Sequence, residues 1–140
     1  MDQLFKNKLK SLIVAHEDKR NFPYVDTVGK ITIGIGYNLT DRGLPDSWIN
    51  EQFDQDINYF YHQLKQDFPW YTELNDARQM VLIDMCFMGY KAFKTFKKML
   101  AALAIHDYNT AANEMMSSKW ALQVGGRAVE NSLIMRKGEL

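Results

Sequence analysis

The stretch EDKRNFPYVDTVGKITIGIG, residues 17–36, decides the fold because the hydrophobic period of the chain changes within it. Before this stretch, apolar positions recur at steps of three and four, which predicts an amphipathic helix over about 2–16 with Glu17 near its C-terminal end. The positions that share this period are Phe5, Leu9, Leu12, Ile13 and His16. Pro23 then prevents the helix from continuing.

After Pro23 the period is two, which predicts a β-hairpin or a small antiparallel sheet with a turn at residues 27–30. In the strand predicted at residues 31–36, the three isoleucines share one face. The opposite face carries Thr32, Gly34 and Gly36 and has almost no side-chain bulk. Glycines on a strand face accompany either a tight bend or the close approach of a ligand or another backbone.

The rest of the sequence predicts helices. Pro45 and Asp46 mark the start of a long helix that runs to Pro69, and Asp76 opens a second, largely apolar helix with Gly89 as its C-cap. Three further helices follow, about Phe93–Leu103, Tyr108–Met116 and a last one through Met135. These patterns predict an α+β fold of one domain, residues 1–140, with a small β-containing lobe (about 17–45) and a helical lobe (46–140) packed with helix 2–16.

Composition excludes several classes of function. The 140 residues include 17 Lys and Arg against 17 Asp and Glu, so no global charge attracts nucleic acid or an anionic membrane. Cys86 is the sole cysteine, which excludes an intrachain disulfide, and we predict that it is a buried, inert thiol. The three histidines lack metal-ligand spacing. We therefore predict a monomer without cofactor or metal.

Glu17 and Asp26 occupy unlike predicted environments. Glu17 faces the negative end of a helix dipole, and partial burial against the apolar face of the helix would further disfavour its ionised form. Asp26 lies on a hairpin strand near the turn, where solvent and backbone donors favour its ionised form. A pair of this kind suits glycosidic cleavage, in which one carboxyl donates a proton and the other acts as a base. Thr32 could reach across the hairpin and help to hold a water.

These residues resemble the phage-type lysozymes (endolysins), a family of glycoside hydrolases. The most specific blocks are HE at 16–17, YVDTVG at 24–29, TIGIG at 32–36 and LT at 39–40. Further blocks follow in the family's order: FDQDI at 53–57, FMG at 87–89, SKW at 118–120 and RA at 127–128. The resemblance covers nearly the whole chain.

The resemblance implies roles for individual residues. Glu17 would be the general acid, Asp26 would orient or activate water, and Thr32 would assist it. Arg127 matches an arginine that lies against the catalytic glutamate and, as a positive charge, would favour the ionised form of Glu17. Substrate-contact positions fall at Tyr37, Asn38, Phe87 and Gln123. Tyr37 stands where the family often has histidine, so we expect altered stability or pH response and retained activity.

The implied substrate is peptidoglycan, cut by hydrolysis of the β-1,4 bond between N-acetylmuramic acid and N-acetylglucosamine with inversion at the anomeric carbon. Two other functions stay open: a lytic transglycosylase, which needs the acid without a positioned water, and a catalytically silent domain that binds peptidoglycan or a protein. The N-terminus has no signal-peptide pattern. We therefore expect the chain in the cytoplasm of an infected or producing bacterium, with action on the periplasmic wall after release.

Overall fold

The computed structural model describes residues 1–140 and confirms the predicted α+β fold. In chain order the elements are α1 (Gln3–Glu17), β1 (Arg20–Val25), β2 (Ile31–Gly34), β3 (Tyr37–Asn38), α2 (Leu39–Arg42), α3 (Asp46–Asp67), a 3₁₀ turn (Tyr71–Glu73), α4 (Asp76–Cys86), α5 (Tyr90–Phe93), α6 (Lys97–Ala104), α7 (Tyr108–Met116), α8 (Lys119–Val124) and α9 (Gly126–Lys137). None of the helices combines the length and the hydrophobicity needed to cross a bilayer.

The chain forms two compact units, residues 1–52 and 53–140. The division falls inside α3, seven residues beyond the lobe boundary that we placed after residue 45 from the sequence. The packing of helix 2–16 on the helical lobe stays a prediction.

In the first unit, α1 begins where the sequence predicts, because the carboxylate of Asp2 accepts a hydrogen bond from the N–H of Phe5 (2.8 Å) and caps the first turn. The helix ends after Glu17. Asp18 turns the chain away with a positive φ of 64° and still donates its N–H to the carbonyl of Val14 at 2.8 Å.

The sheet of the first unit is antiparallel with the strand order β1-β2-β3. Thr32 in the central strand pairs with Tyr24 of β1 and Asn38 of β3. β2 ends at Gly34, two residues earlier than predicted, because Gly34 and Gly36 both have positive φ and bend the chain through Ile35 into β3. Gly34 and Gly36 therefore form the turn that leads from β2 into β3, and they also leave this surface without side chains.

The second unit has a conventional apolar core. Leu82 and Met85 on α4 are fully buried, as are Leu103 on α6 and Met115 on α7. α9 packs against α7, α4 and α8, which encloses this core. In the first unit, by contrast, Thr32 is the one buried residue.

Three details of the second unit differ from the predicted helices. α4 ends at Cys86, and Gly89 is the N-cap of α5 and not the C-cap of α4. The single helix predicted over 93–103 is broken between α5 and α6, and α8 was not predicted. Each difference concerns a short helical segment, where the hydrophobic period is sampled over too few residues to place the ends.

Cys86 is fully buried in this core, and burial raises the pKa of its thiol to about 12. We expect the native protein to resist a thiol-specific reagent such as dithionitrobenzoate at pH 8, since only the thiolate reacts. Unfolding in guanidinium chloride should expose one reactive thiol with an ordinary pKa of about 8.5. Equal labelling rates in the native and unfolded states would show that the thiol is accessible.

Candidate active site

The carboxylate of Glu17 lies directly over the backbone of Gly36. A Cβ atom built on Gly36 would lie 2.7 Å from Oε2 and 2.8 Å from Cδ of Glu17, closer than real Cβ atoms approach other atoms. The absence of a side chain at Gly36 therefore provides the space that Glu17 occupies. A Cβ built on Gly34, on the other side of the turn, would contact nothing within 4 Å.

The chain leaves Glu17 through a strained residue. Asp18 adopts φ 64° and ψ 167°, a region that is almost exclusive to glycine and costs on the order of 1–3 kcal/mol for other residues. Its carboxylate accepts a hydrogen bond from the N–H of Lys19 (2.8 Å). This sharp reversal joins α1 to β1 within two residues and places Glu17 beside the sheet. Glu17 is exposed, so the partial burial that we predicted for it is wrong.

Asp26 is held by the hairpin turn that follows it. Its Oδ1 accepts hydrogen bonds from the N–H of Val28 (3.0 Å) and the N–H of Lys30 (2.8 Å), while the backbones of Asp26 and Lys30 pair at 2.9 Å. Both side-chain bonds use the same oxygen. Oδ2 has no partner in the protein and can accept a hydrogen bond from water or substrate.

Thr32 is 4% exposed, and its hydroxyl donates to the carbonyl of Lys30 at 3.2 Å. No hydrogen bond joins Thr32 to Asp26 directly. The backbone of Lys30 links them, because its N–H donates to Asp26 and its carbonyl accepts from Thr32. The assistance that Thr32 would give to a water stays a prediction.

Lys30 was not identified from the sequence. Its Nζ lies 2.9 Å from Oδ1 of Asp41, and the other oxygen of Asp41 accepts from the amide of Asn38 at 3.0 Å. Next to Lys30, the N–H of Ile31 donates to Oγ1 of Thr40 (2.8 Å). These bonds tie the Asp26 turn to α2. The position of Lys30 four residues after Asp26, where the turn closes, is the one sequence signal that could have indicated it.

The Lys30 hydrogen bond holds the pKa of Asp41 below its ordinary value of 3.8. The ionised carboxylate therefore stabilises the fold above about pH 4, and this contribution disappears as the pH falls further. We expect Asp41→Asn to lose less thermal stability than wild type between about pH 5 and pH 3. Glu51→Gln, which removes an exposed carboxyl without an ion pair, is the control. A wild-type pH profile for Asp41→Asn would contradict the role of this pair.

Two predicted substrate contacts already have partners in the first unit. Asn38 caps α2, since its Oδ1 accepts from the N–H of Asp41 at 3.0 Å. The hydroxyl of Tyr37 donates to the carbonyl of Gly43 (2.6 Å). The centroid of its ring lies 4.1 Å from the Arg42 guanidinium carbon and 5.0 Å from the centroid of the Trp48 ring. Tyr37 therefore packs this unit through ring contacts and its hydroxyl hydrogen bond.

The other two predicted contacts line separate cavities of the second unit. Phe87 packs against Phe60 and Phe53, with ring centroids 5.1 and 5.9 Å apart, and lines a cavity of about 440 Å³. Gln123 is exposed and lines a cavity of about 600 Å³ that also contains Trp120. Their contact with substrate stays a prediction.

Arg127 lines the same cavity as Phe87 and is paired with Asp84. Its Nε and Nη2 donate to the two carboxylate oxygens of Asp84 at 2.9 and 3.0 Å, and Nη2 also reaches the Asp84 carbonyl at 2.8 Å. Because the guanidinium donates these hydrogen bonds to the Asp84 carboxylate, the pKa of Arg127 is raised. Asn131 donates to the same carboxylate. The support of Glu17 by Arg127 stays a prediction.

Comparison with known proteins identifies the chain. The phage lysozyme family model matches residues 14–139, which is most of the sequence. A relative described as probable T4-type lysozyme 1, from Dictyostelium discoideum, is 24% identical over 164 residues and covers 96% of each chain. The matched region contains Glu17, Asp26 and Thr32. The chain therefore belongs to the phage lysozyme family.

Proposed function

We propose that this protein is a muramidase that hydrolyses the β-1,4 bond between N-acetylmuramic acid and N-acetylglucosamine in peptidoglycan. The observation that carries the proposal is the position of the Glu17 carboxylate over the bare backbone of Gly36. A general acid must come within hydrogen-bond distance of the glycosidic oxygen, which requires a surface without obstructing side chains. Membership of the lysozyme family supports the same substrate class.

In the proposed reaction, Glu17 donates its proton to the oxygen of the leaving sugar as the bond from that oxygen to the anomeric carbon breaks. Water attacks the same carbon from the opposite face and transfers a proton to Asp26, which gives inversion of configuration. The free Oδ2 of Asp26 supports this role, because an oxygen without a protein partner can bind the attacking water.

The proposal is tested with purified, protein-free sacculi. We expect the wild-type protein to reduce the turbidity of the suspension and to release soluble fragments with new reducing ends. Binding of the protein to sacculi without release of fragments would contradict the proposal and would favour a silent wall-binding domain. Action as an endolysin on the periplasmic side of the wall follows from the resemblance, and complementation of a lysis-defective phage would test it.

A further inference from the structure

A cavity of about 510 Å³ lies in the first unit, between the segment after α1 and the end of β2. Its lining residues come from three parts of the unit: Lys19, Arg20 and Asn21; Ile33, Gly34 and Ile35; and Tyr37 with Trp48. Apolar and aromatic walls with a few polar groups, at a volume between about 300 and 1,000 Å³, are typical of sites for small ligands. Neither Glu17 nor Asp26 lines this cavity.

Trp48 and Tyr37 form the aromatic wall of the cavity. Trp48 is 49% exposed and packs against the ring of Tyr37, which the hydrogen bond to the Gly43 carbonyl and the Arg42 guanidinium hold in place. The exposed ring of Trp48 rests against the fixed ring of Tyr37. It therefore offers a flat apolar surface to a ligand at low conformational cost.

The charged residues that line the cavity, Lys19 and Arg20, are both cations. Lys19 and Arg20 are exposed, their side chains form no ion pair, and no acidic residue lines the cavity. The Arg20 guanidinium lies 4.3 Å from the centroid of the Tyr24 ring, a contact that orients it and leaves its N–H donors available. Cations of this kind bind carboxylate or phosphate through charge-assisted hydrogen bonds.

We propose that this cavity binds a negatively charged sugar unit, with the sugar ring against Trp48 and Tyr37 and its carboxylate or phosphate near Lys19 and Arg20. A neutral sugar would contact only the aromatic wall, and a simple anion would pair only with the cations. The combination of both features selects a sugar that carries the charge. A site of this kind would hold an anionic glycan on residues that include neither Glu17 nor Asp26.

The test is an NMR titration of wild-type protein with three monosaccharides, followed at the indole N–H of Trp48. N-acetylglucosamine is neutral, N-acetylmuramic acid adds a lactyl carboxylate to the same ring, and N-acetylglucosamine 6-phosphate adds a phosphate. We expect at least one charged sugar to bind about tenfold or more tightly than the neutral one, the difference that one charge-assisted hydrogen bond supplies. The charged sugar that binds more tightly shows whether the site prefers a carboxylate or a phosphate.

Variants locate the site. Lys19→Gln with Arg20→Gln should weaken binding of the charged sugar by about tenfold. Lys6→Gln with Lys10→Gln removes the same charge from exposed positions of α1 and should leave binding unchanged. Equal affinity for charged and neutral sugars, or no saturable shift of Trp48, would overturn the proposal. Because a monosaccharide contains no glycosidic bond to cleave, this result is independent of muramidase activity.

Discussion

Glu17→Gln is expected to lower the rate of fragment release from purified sacculi by about 10²–10⁴-fold, the usual contribution of a positioned general acid. Glutamine keeps the shape of the side chain and its contact with Gly36, but it cannot donate the proton that the leaving sugar requires. Because Glu17 is exposed, stability should be nearly unchanged. The measurement is the initial rate of new reducing ends, together with the midpoint of urea unfolding.

Glu51→Gln makes the same chemical change at an exposed position of α3 and is the matched control. It should retain wild-type activity. Wild-type activity in Glu17→Gln, with the control also active, would mean that another group supplies the proton.

Gly36→Ala should lower activity by about 10²-fold, the effect of misplacing a catalytic group by roughly 1 Å. The new Cβ would overlap the Glu17 carboxylate, whose Oε2 and Cδ lie 2.7 and 2.8 Å from its position. Because a flexible side-chain end can move aside, the overlap should displace the catalytic group more than it destabilises the fold. The positive φ of 67° adds a backbone cost of about 1–2 kcal/mol for alanine.

Gly34→Ala separates these two effects. Gly34 has nearly the same φ, 69°, and open space around the position of its Cβ. Both variants should therefore lose similar free energy of unfolding, and only Gly36→Ala should lose most of its activity. Equal activity in the two variants would indicate that the position of Glu17 does not depend on the missing side chain at residue 36.

The elements that the sequence predicted well have a long hydrophobic period or a proline at their boundary. The period of α1 placed its end within one residue of Glu17, and Pro45 and Pro69 bracket α3 closely. The hairpin turn next to Asp26 was also predictable, because the sequence TVGK gives a local turn signal. These features depend on residues that are close in sequence.

The contacts within the candidate site were less predictable because they depend on tertiary geometry. Gly34 and Gly36 were assigned the same role, and only the turn between β2 and β3 distinguishes the glycine beneath Glu17. The pairs Lys30–Asp41 and Arg127–Asp84 join residues 11 and 43 positions apart, which charge pattern alone does not select. The sequence likewise did not predict the exposure of Glu17, because exposure depends on the tertiary structure around a residue.

We expect this protein to cleave peptidoglycan by hydrolysis, with water as the attacking group, and analysis of the products in oxygen-18 water tests this most directly. Wild-type protein would digest purified sacculi in this solvent, followed by immediate borohydride reduction and mass spectrometry of the released fragments. Our account predicts fragments that end in N-acetylmuramic acid and carry one oxygen-18 atom at that end. Fragments with unlabelled 1,6-anhydro ends would contradict it.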